Sequence, residues 1–200
     1  ELFVEGLDAG AALAGALVTD PPSLDVGRAH YSMMCAPDGG VIDDLIVYRL
    51  AEDRFLVVAN APNAPVVSDA LAECLDASRS ILDDRSLATA LGAVQGPAAR
   101  GILGPLTDVN LESLRYYAIA EGTLGGIPVL VARTGYTGED GFEVFADGAA
   151  AGEIWDALLA AGAPAGLVPV GLGALDTLRL EAGKPLYGNE LDRSTTPFEA

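Results

Sequence analysis

The sequence predicts an α+β fold with mixed or antiparallel sheets and flanking helices. Short runs rich in β-branched and aromatic residues alternate with alanine-rich and leucine-rich segments at helical spacing. Two pairs of these runs are joined by turn sequences, Pro37-Asp38-Gly39-Gly40 and Gly125-Gly126, which typically connect antiparallel neighbours. The 200 residues, 50% of them hydrophobic, can bury a core and fit one domain or two small ones.

The individual elements follow from the same periodicities and from the positions of proline and glycine. Trp155, inside the fourth helix, is expected in the core. Helices are expected over Leu7–Val18, Ala64–Ala77, Pro97–Leu103, Ala149–Ala161 and Val170–Ala182, and strands over Leu2–Val4, Ala29–Ala36, Val41–Leu50, Arg54–Ala59, Leu87–Val94, Tyr116–Glu121, Ile127–Ala132 and Phe142–Ala146.

Charge and cysteine content restrict the class of protein. A net charge of −18, with one lysine against ten arginines, argues against nucleic acid or an anionic membrane as a partner. Cys35 and Cys74 lack metal-ligand spacing, and we interpret them as reduced core residues of a cytoplasmic protein. No secretory leader is visible, and the apolar run Ala9–Val18 is too short to span a bilayer.

Two adjacent carboxylates interrupt an otherwise apolar strand. The run Val41–Val47 is apolar on both faces apart from Asp43 and Asp44, which is typical of a strand buried on both sides. Since neighbouring residues point to opposite faces, only one of the two aspartates can serve a given site. A buried carboxylate is costly without partners, which suggests use. The alternative is a pair capping the open end of the sheet in contact with water.

The turn before this strand predicts the pairing register. If Pro37 opposes Gly40, then Met33 opposes Asp44, and Tyr31 lies diagonally on the same face. This register places a phenol beside a carboxylate.

The densest stretch of chemistry is Arg133–Gly141, between two predicted strands. It contains three glycines, the phenol of Tyr136 and two carboxylates, and it is longer than a hairpin turn needs. Long loops on a rigid sheet often carry function. A wide hairpin whose glycines only relieve strain is the alternative.

Several common sites can be set aside. Gly171-Leu172-Gly173 lacks the third glycine of a dinucleotide-binding turn. His30 is the only histidine, and no serine or cysteine motif is placed to use it, which argues against triad chemistry and a histidine-rich metal site. Asp176 and Arg179 are interpreted as a solvated helical pair. Carboxylates and tyrosines are then the acid–base candidates, and no metal ligand is predicted.

Four motifs occur in order along the chain. They are Gly39–Tyr48, Val94–Pro97, Arg133–Glu143, and Asp176–Gly183 with Leu186–Gly188. Together they resemble the aminomethyltransferase family, the T-protein of the glycine cleavage system. The resemblance implies folate-binding domains and an enzyme that moves a methylene group from an aminomethyl-lipoyl carrier protein, the H-protein, to tetrahydrofolate with release of ammonia.

The resemblance assigns five residues one at a time. Asp44 matches the catalytic aspartate that contacts the folate nitrogens. Tyr31, Asn60 and Tyr136 match folate-lining residues, and Glu143 matches the glutamate that holds the pterin ring. A carboxylate suits that ring because it can accept two parallel hydrogen bonds from adjacent N–H groups.

The resemblance also implies a domain organisation and shows a departure. Residues 1–84 would be a first, N-terminally truncated folate-binding part and 85–200 a second, without the family's C-terminal barrel, so that the chain is expected to be an internal fragment. The family has arginine where this chain has Leu175, and it usually has Asn-Asp at Asp20-Pro21.

Two other functions stay open from the sequence. The same fold forms the folate half of dimethylglycine and sarcosine dehydrogenases and related demethylases. Non-enzymatic folate-binding relatives assist iron–sulfur assembly, and the loss at Leu175 could mark such a change. That group carries a cysteine in its version of the glycine loop, which residues 133–141 lack.

Overall fold

Antiparallel strands form both sheets of the computed structural model, which describes residues 1–76 and 78–200. The first unit comprises Glu1–Ser86 and Pro185–Ala200, and the second comprises Leu87–Lys184. The predicted α+β class with antiparallel sheets and flanking helices is confirmed. The division at residues 84 and 85 stays a prediction about folding domains.

The first unit is built on a five-stranded sheet in which every pairing is antiparallel. The strand order is β2-β3-β4-β1-β5. The edge strand β5 was not predicted, because its residues do not alternate regularly between apolar and polar. In the structure none of them is buried. The strands are β1 (Leu2–Gly6), β2 (Ala29–Cys35), β3 (Val41–Ala51), β4 (Arg54–Ala59) and β5 (Ser80–Asp84).

Two helices cover one face of this sheet. They are α1 (Ala9–Ala16) and α2 (Ala64–Leu75), and each is shorter than predicted. Leu13 and Leu71 are fully buried against Val47, and burying one such side chain contributes about 1.5–3 kcal/mol. Ala77, where the second helix was predicted to end, lies outside the described residues.

The segment Pro185–Ala200 packs on the first unit beside the turn between β2 and β3. Leu191 is fully buried in a small cluster with Met33 and Val41. The backbone N–H of Val41 donates to the carbonyl oxygen of Thr195 at 3.0 Å. This segment therefore completes the hydrogen bonding at the start of β3.

The second unit contains a four-stranded antiparallel sheet of order β6-β9-β8-β7. Phe142 and Leu103 are fully buried in its core, against which the third and fourth helices pack. Among the helices of residues 1–76 and 78–200, none has the length and apolar character needed to cross a membrane. The elements are β6 (Thr89–Gln95), α3 (Ala99–Leu103), β7 (Ile119–Leu124), β8 (Ile127–Ala132), β9 (Gly141–Asp147), α4 (Ala151–Gly162) and α5 (Leu172–Glu181).

Two predictions of core residues were wrong, both for reasons of helix phase. Trp155 is 51% exposed, because its neighbour Ile154 occupies the inward face of α4. Cys74 is exposed in the same way beside inward-facing Leu75, and Cys35 is half-buried. Successive helical residues are about 100° apart, so a bulky apolar residue next to the buried stripe faces outwards.

We predict that the contact between Asp8 and Arg79 makes the first unit sensitive to acid. Arg79 donates to Asp8 through Nε at 2.8 Å, Nη2 at 2.7 Å and its backbone N–H at 2.9 Å. These hydrogen bonds lower the pKa of Asp8 from 3.8 to about 2. A depressed pKa in the folded state stabilises the fold above the unfolded pKa, and that stability is lost as the pH falls towards 2.

Urea unfolding between pH 7 and pH 2 measures this contribution. The Asp8→Asn variant should be less stable than the wild type at pH 7, and the difference should shrink below pH 4. A difference that stays constant across this range would contradict the assignment.

Candidate functional site

The predicted site residues lie in two groups of polar residues, one in each unit. In the first unit, the carboxylate cluster consists of Tyr31, Asp43, Asp44, Asn60 and Asn63. In the second unit, the glycine loop is the segment 133–141 between β8 and β9, and Glu143 follows it on β9.

Asp44 is held by side chains from two neighbouring segments. It lies on β3 and is 7% exposed. Tyr31 Oη, on β2, donates to Asp44 Oδ2 at 3.1 Å. Asn60 Nδ2, just after β4, donates to Asp44 Oδ1 at 2.8 Å and contacts the Asp44 carbonyl oxygen at 3.0 Å. The structure thus brings together three of the five residues predicted from the sequence.

The predicted pairing of Met33 with Asp44 is confirmed, and Tyr31 reaches Asp44 diagonally. The assumed pairing of Pro37 with Gly40 is wrong, because the register shifts between Met34 and Cys35, so that Cys35 opposes Val41. Both aspartates are buried, so the alternative in which the pair caps the sheet in contact with water is wrong.

Asp43 shares the partner Asn60 with Asp44 and has Asn63 as a second partner, on the helical face of the sheet. It is fully buried and shares its face with Leu45. Its oxygens accept hydrogen bonds from Asn60 N–H at 3.0 Å, Asn60 Nδ2 at 3.0 Å and Asn63 Nδ2 at 2.9 Å. Asn63 also donates to the carbonyl oxygen of Ile42 at 3.0 Å. These hydrogen bonds hold the Asp43 side chain in place and thereby position the backbone of β3 next to Asp44.

Burial raises the pKa of both carboxyl groups in the cluster. For Asp43 the hydrogen bonds from Asn63 and Asn60 oppose this rise, and for Asp44 those from Tyr31 and Asn60 do so. The charge of Asp43 adds to the rise at Asp44. A buried carboxylate with a raised pKa can accept a proton or a hydrogen bond more readily than a solvated one.

Gln95 fills the inside of the glycine loop. Its Nε2 donates to the carbonyl oxygens of Thr134 at 3.2 Å and Phe142 at 3.3 Å. A Cβ at Gly135 or Gly141 would lie 2.1 or 2.3 Å from Gln95 Oε1. A side chain at either position would displace the Gln95 amide from the inside of the loop. The loop is thus shaped from within and is not a simple wide hairpin.

Two arginines hold the end of the glycine loop that leads into β9. Arg133 Nε and Arg100 Nη2 donate to the Asp140 carboxylate at 2.8 and 3.1 Å. These hydrogen bonds, that of Arg133 first, lower the pKa of Asp140. The Gly96 N–H donates to the Asp140 carbonyl oxygen at 2.8 Å. Asp140 is therefore a structural anchor, and the loop's other carboxylate, Glu139, is exposed.

Glu143 lies at the middle of β9 and is oriented by the loop. Its cross-strand neighbours are the small residues Ala93 and Ala132. The buried hydroxyl of Thr134 donates to Glu143 Oε2 in a short hydrogen bond. A carboxylate fixed in this way can present an oxygen in one defined direction. Tyr136, half-buried, lies on the same loop.

Tyr117 is a residue near Glu143 that the sequence did not reveal. It has a φ of +57°, and the Tyr116 ring packs edge-on against it with centroids 4.8 Å apart. Burial raises the pKa of Tyr117, and the charge of Glu143 contributes to the rise. A left-handed backbone in a bulky residue is uncommon and is concentrated at functional sites.

The interpretation of Arg179 as a solvated residue was wrong. Its side chain is buried, with the residue 2% exposed, and it pairs with Asp176 at 2.7 Å.

Leu175, at the position where the resemblance expects arginine, lines an apolar cavity of about 510 Å³ in the second unit together with Trp155 and Leu178.

Within residues 1–76 and 78–200, no group of three or more His, Cys, Asp or Glu residues could hold a metal ion.

Removing Asn63 should destabilise the first unit. The Asn63→Ala variant leaves buried Asp43 with one donor fewer, and we expect a loss of about 1–3 kcal/mol in the free energy of unfolding. Asn189→Ala, at an exposed position, is the control and should change stability by less than about 0.5 kcal/mol. Urea denaturation measures both, and equal effects would show that Asn63 does not support Asp43.

Comparison with known proteins identifies the relatives of this chain. A family model described as the GCVT N-terminal domain matches residues 1–200. An aminomethyltransferase of Streptomyces avermitilis is 58% identical over 200 residues, which are 100% of this chain and 54% of that protein. An aminomethyltransferase of Streptomyces coelicolor is 55% identical over 201 residues, with the same coverage. The chain spans about half the length of the curated relatives it matches.

Solved structures agree with this relationship. The glycine cleavage system aminomethyltransferase T from Bartonella henselae superposes with a TM-score of 0.89 at 35% identity, over 98% of this chain and 52% of that one. The heterotetrameric sarcosine oxidase from Corynebacterium sp. U-96 has a TM-score of 0.65 at 22% identity, over 85% of this chain and 82% of that one, and shares the fold. The chain therefore belongs to the GCVT N-terminal domain family.

Proposed function

We propose that the protein containing this chain is a tetrahydrofolate-dependent aminomethyltransferase of the glycine cleavage system. It would move a methylene group from the aminomethyl-lipoyl H-protein to tetrahydrofolate and release ammonia. The observation that carries this proposal is the buried Asp44 carboxylate, held from two sides by Tyr31 and Asn60. The names of the relatives support it, although the chain spans only about half of them.

Asp44 is proposed as the catalytic residue. Tetrahydrofolate supplies the nucleophilic nitrogen that takes up the one-carbon unit. The Asp44 carboxylate can accept a hydrogen bond from such a nitrogen and stabilise the positive charge that develops there. Because Tyr31 and Asn60 fix its oxygens before any ligand arrives, little reorganisation is needed.

Glu143, Tyr136, Tyr31 and Asn60 are proposed as folate-binding residues. The chemistry of Glu143 fits a pterin ring, because a carboxylate accepts parallel hydrogen bonds from adjacent N–H groups. Its orientation is fixed by Thr134, which supports a directional contact. The tyrosines offer flat apolar surfaces with a hydroxyl at one end.

The partner and the location are proposals of the same kind. A lipoylated carrier protein is the donor that the reaction requires. A cytoplasmic location, expected from the cysteines, stays a prediction.

Replacing Asp44 tests the proposed chemistry. In the full-length protein, Asp44→Asn should lower kcat for ammonia release from the aminomethyl-lipoyl H-protein by at least about a hundredfold, the usual contribution of such a positioned group. Asp53→Asn, at an exposed turn, is the charge-matched control and should leave kcat unchanged. Equal rates for both variants would exclude Asp44 as the catalytic residue.

Calorimetry with tetrahydrofolate tests the binding residues in the full-length protein. Glu143→Ala should weaken binding about tenfold to a hundredfold, because each hydrogen bond to a charged group contributes about 1.5–3 kcal/mol. Leu175→Arg should bind at least as well as the wild type. If only Leu175→Arg binds, the chain has lost its tetrahydrofolate site at position 175, and the proposed function is wrong.

A further inference from the structure

The end of α5 contacts the glycine loop at close range. Gly138 has a φ of +80°, and a Cβ there would lie 2.8 Å from the Cβ of Ala182. Only glycine allows this approach without displacing one of the two segments. The loop therefore rests directly on the residue that follows the helix.

Lys184 makes a polar contact across the same junction. It is the only lysine in a chain with a net charge of −18. Its Nζ donates to the carbonyl oxygen of Gly135 at 3.0 Å, immediately before Tyr136. A hydrogen bond from an ammonium group is about twice as strong as one between neutral groups. Lys184 therefore restrains the backbone from which the Tyr136 side chain extends.

Arg179 fixes the backbone of Lys184. The Lys184 N–H donates to the Arg179 carbonyl oxygen at 2.9 Å, and Arg179 Nη1 donates to the Lys184 carbonyl oxygen at 3.2 Å. The guanidinium is itself held by Asp176 through Nε at 2.8 Å. Because its starting point is fixed, the lysine side chain spans to the loop with less conformational freedom to lose.

The two sides of the loop are thus held by different groups. Gln95 and Asp140 hold the ends of the loop next to the strands. Lys184 holds the loop at Gly135, next to the residue proposed to contact the ligand.

We propose that Lys184 is a positioning residue for Tyr136 in the binding of tetrahydrofolate. This inference rests on the proposed function, because it assigns Lys184 an effect through Tyr136. Lys184 touches the loop backbone and acts by restraining it, so it is not a catalytic residue.

The test measures tetrahydrofolate binding by calorimetry in the full-length protein. Lys184→Met keeps the length of the side chain and removes the charge and its donors. We expect it to weaken binding about tenfold, the size of one charge-assisted hydrogen bond. Lys184→Arg should restore most of the affinity. Arg115→Met removes one exposed positive charge from the same unit and should leave binding unchanged.

A double variant separates positioning from a general structural effect. If Lys184 acts through Tyr136, then Tyr136→Ala with Lys184→Met should bind no more weakly than Tyr136→Ala alone. If the losses of affinity in Tyr136→Ala and Lys184→Met multiply in the double variant, the inference is overturned. It is also overturned if Lys184→Met binds as tightly as the wild type. Thermal unfolding of each variant identifies any loss of fold.

A ligand-free measurement keeps this test distinct from that of the proposed function. In the full-length protein labelled with ¹³C at lysine Cε, the signal of Lys184, the only lysine of these 200 residues, is identified as the one lost in Lys184→Met. A restrained Lys184 should give a signal shifted from that of free lysine and altered by Tyr136→Ala. A signal identical to free lysine would overturn the inference even if tetrahydrofolate binds. If the wild type fails to bind tetrahydrofolate, the proposed function fails first, and the role of Lys184 in binding fails with it.

Discussion

The first unit depends on satisfying two adjacent carboxylates inside a buried strand. Leaving Asp43 or Asp44 without partners in such a place would cost several kcal/mol. The partners come from the segment between β4 and α2. Asn60 directly follows β4, Asn63 directly precedes α2, and both donate hydrogen bonds to Asp43. One amide, that of Asn60, serves both carboxylates and so ties β3 to the end of β4. The position of Asp44 is thereby a consequence of how the sheet itself is held together.

In the second unit, an amide side chain again satisfies polar groups, here backbone carbonyl oxygens. Gln95 supplies an amide to the interior of the glycine loop, where it bonds to the backbone on both sides. Glycine at positions 135 and 141 makes room for it. The loop can therefore be long and still have a defined shape, which is what a directional carboxylate such as Glu143 requires.

Local chemistry explains which features could be predicted from the sequence. The turn at Pro37–Gly40 indicated a hairpin, and the predicted proximity of Tyr31 to Asp44 holds, although an irregularity between Met34 and Cys35 shifts the register next to the turn itself. β4 was predicted with correct ends because a turn and an asparagine bound it. By contrast, Asn63, Thr134 and Tyr117 reach their partners only through tertiary packing, for which their spacing along the chain gives no clear signal. Trp155 was placed inside the core because composition does not determine helix phase.

The return of Pro185–Ala200 to the first unit has a consequence for biosynthesis. A ribosome makes Leu87–Lys184 as one uninterrupted piece, whereas the first unit receives its last piece only afterwards. Until then, the N–H of Val41 lacks the carbonyl of Thr195, and Met33 lacks the cover of Leu191. Domains tend to fold as they emerge, in N-to-C order. Here that order is reversed in part, since the unit that is begun second can be finished first.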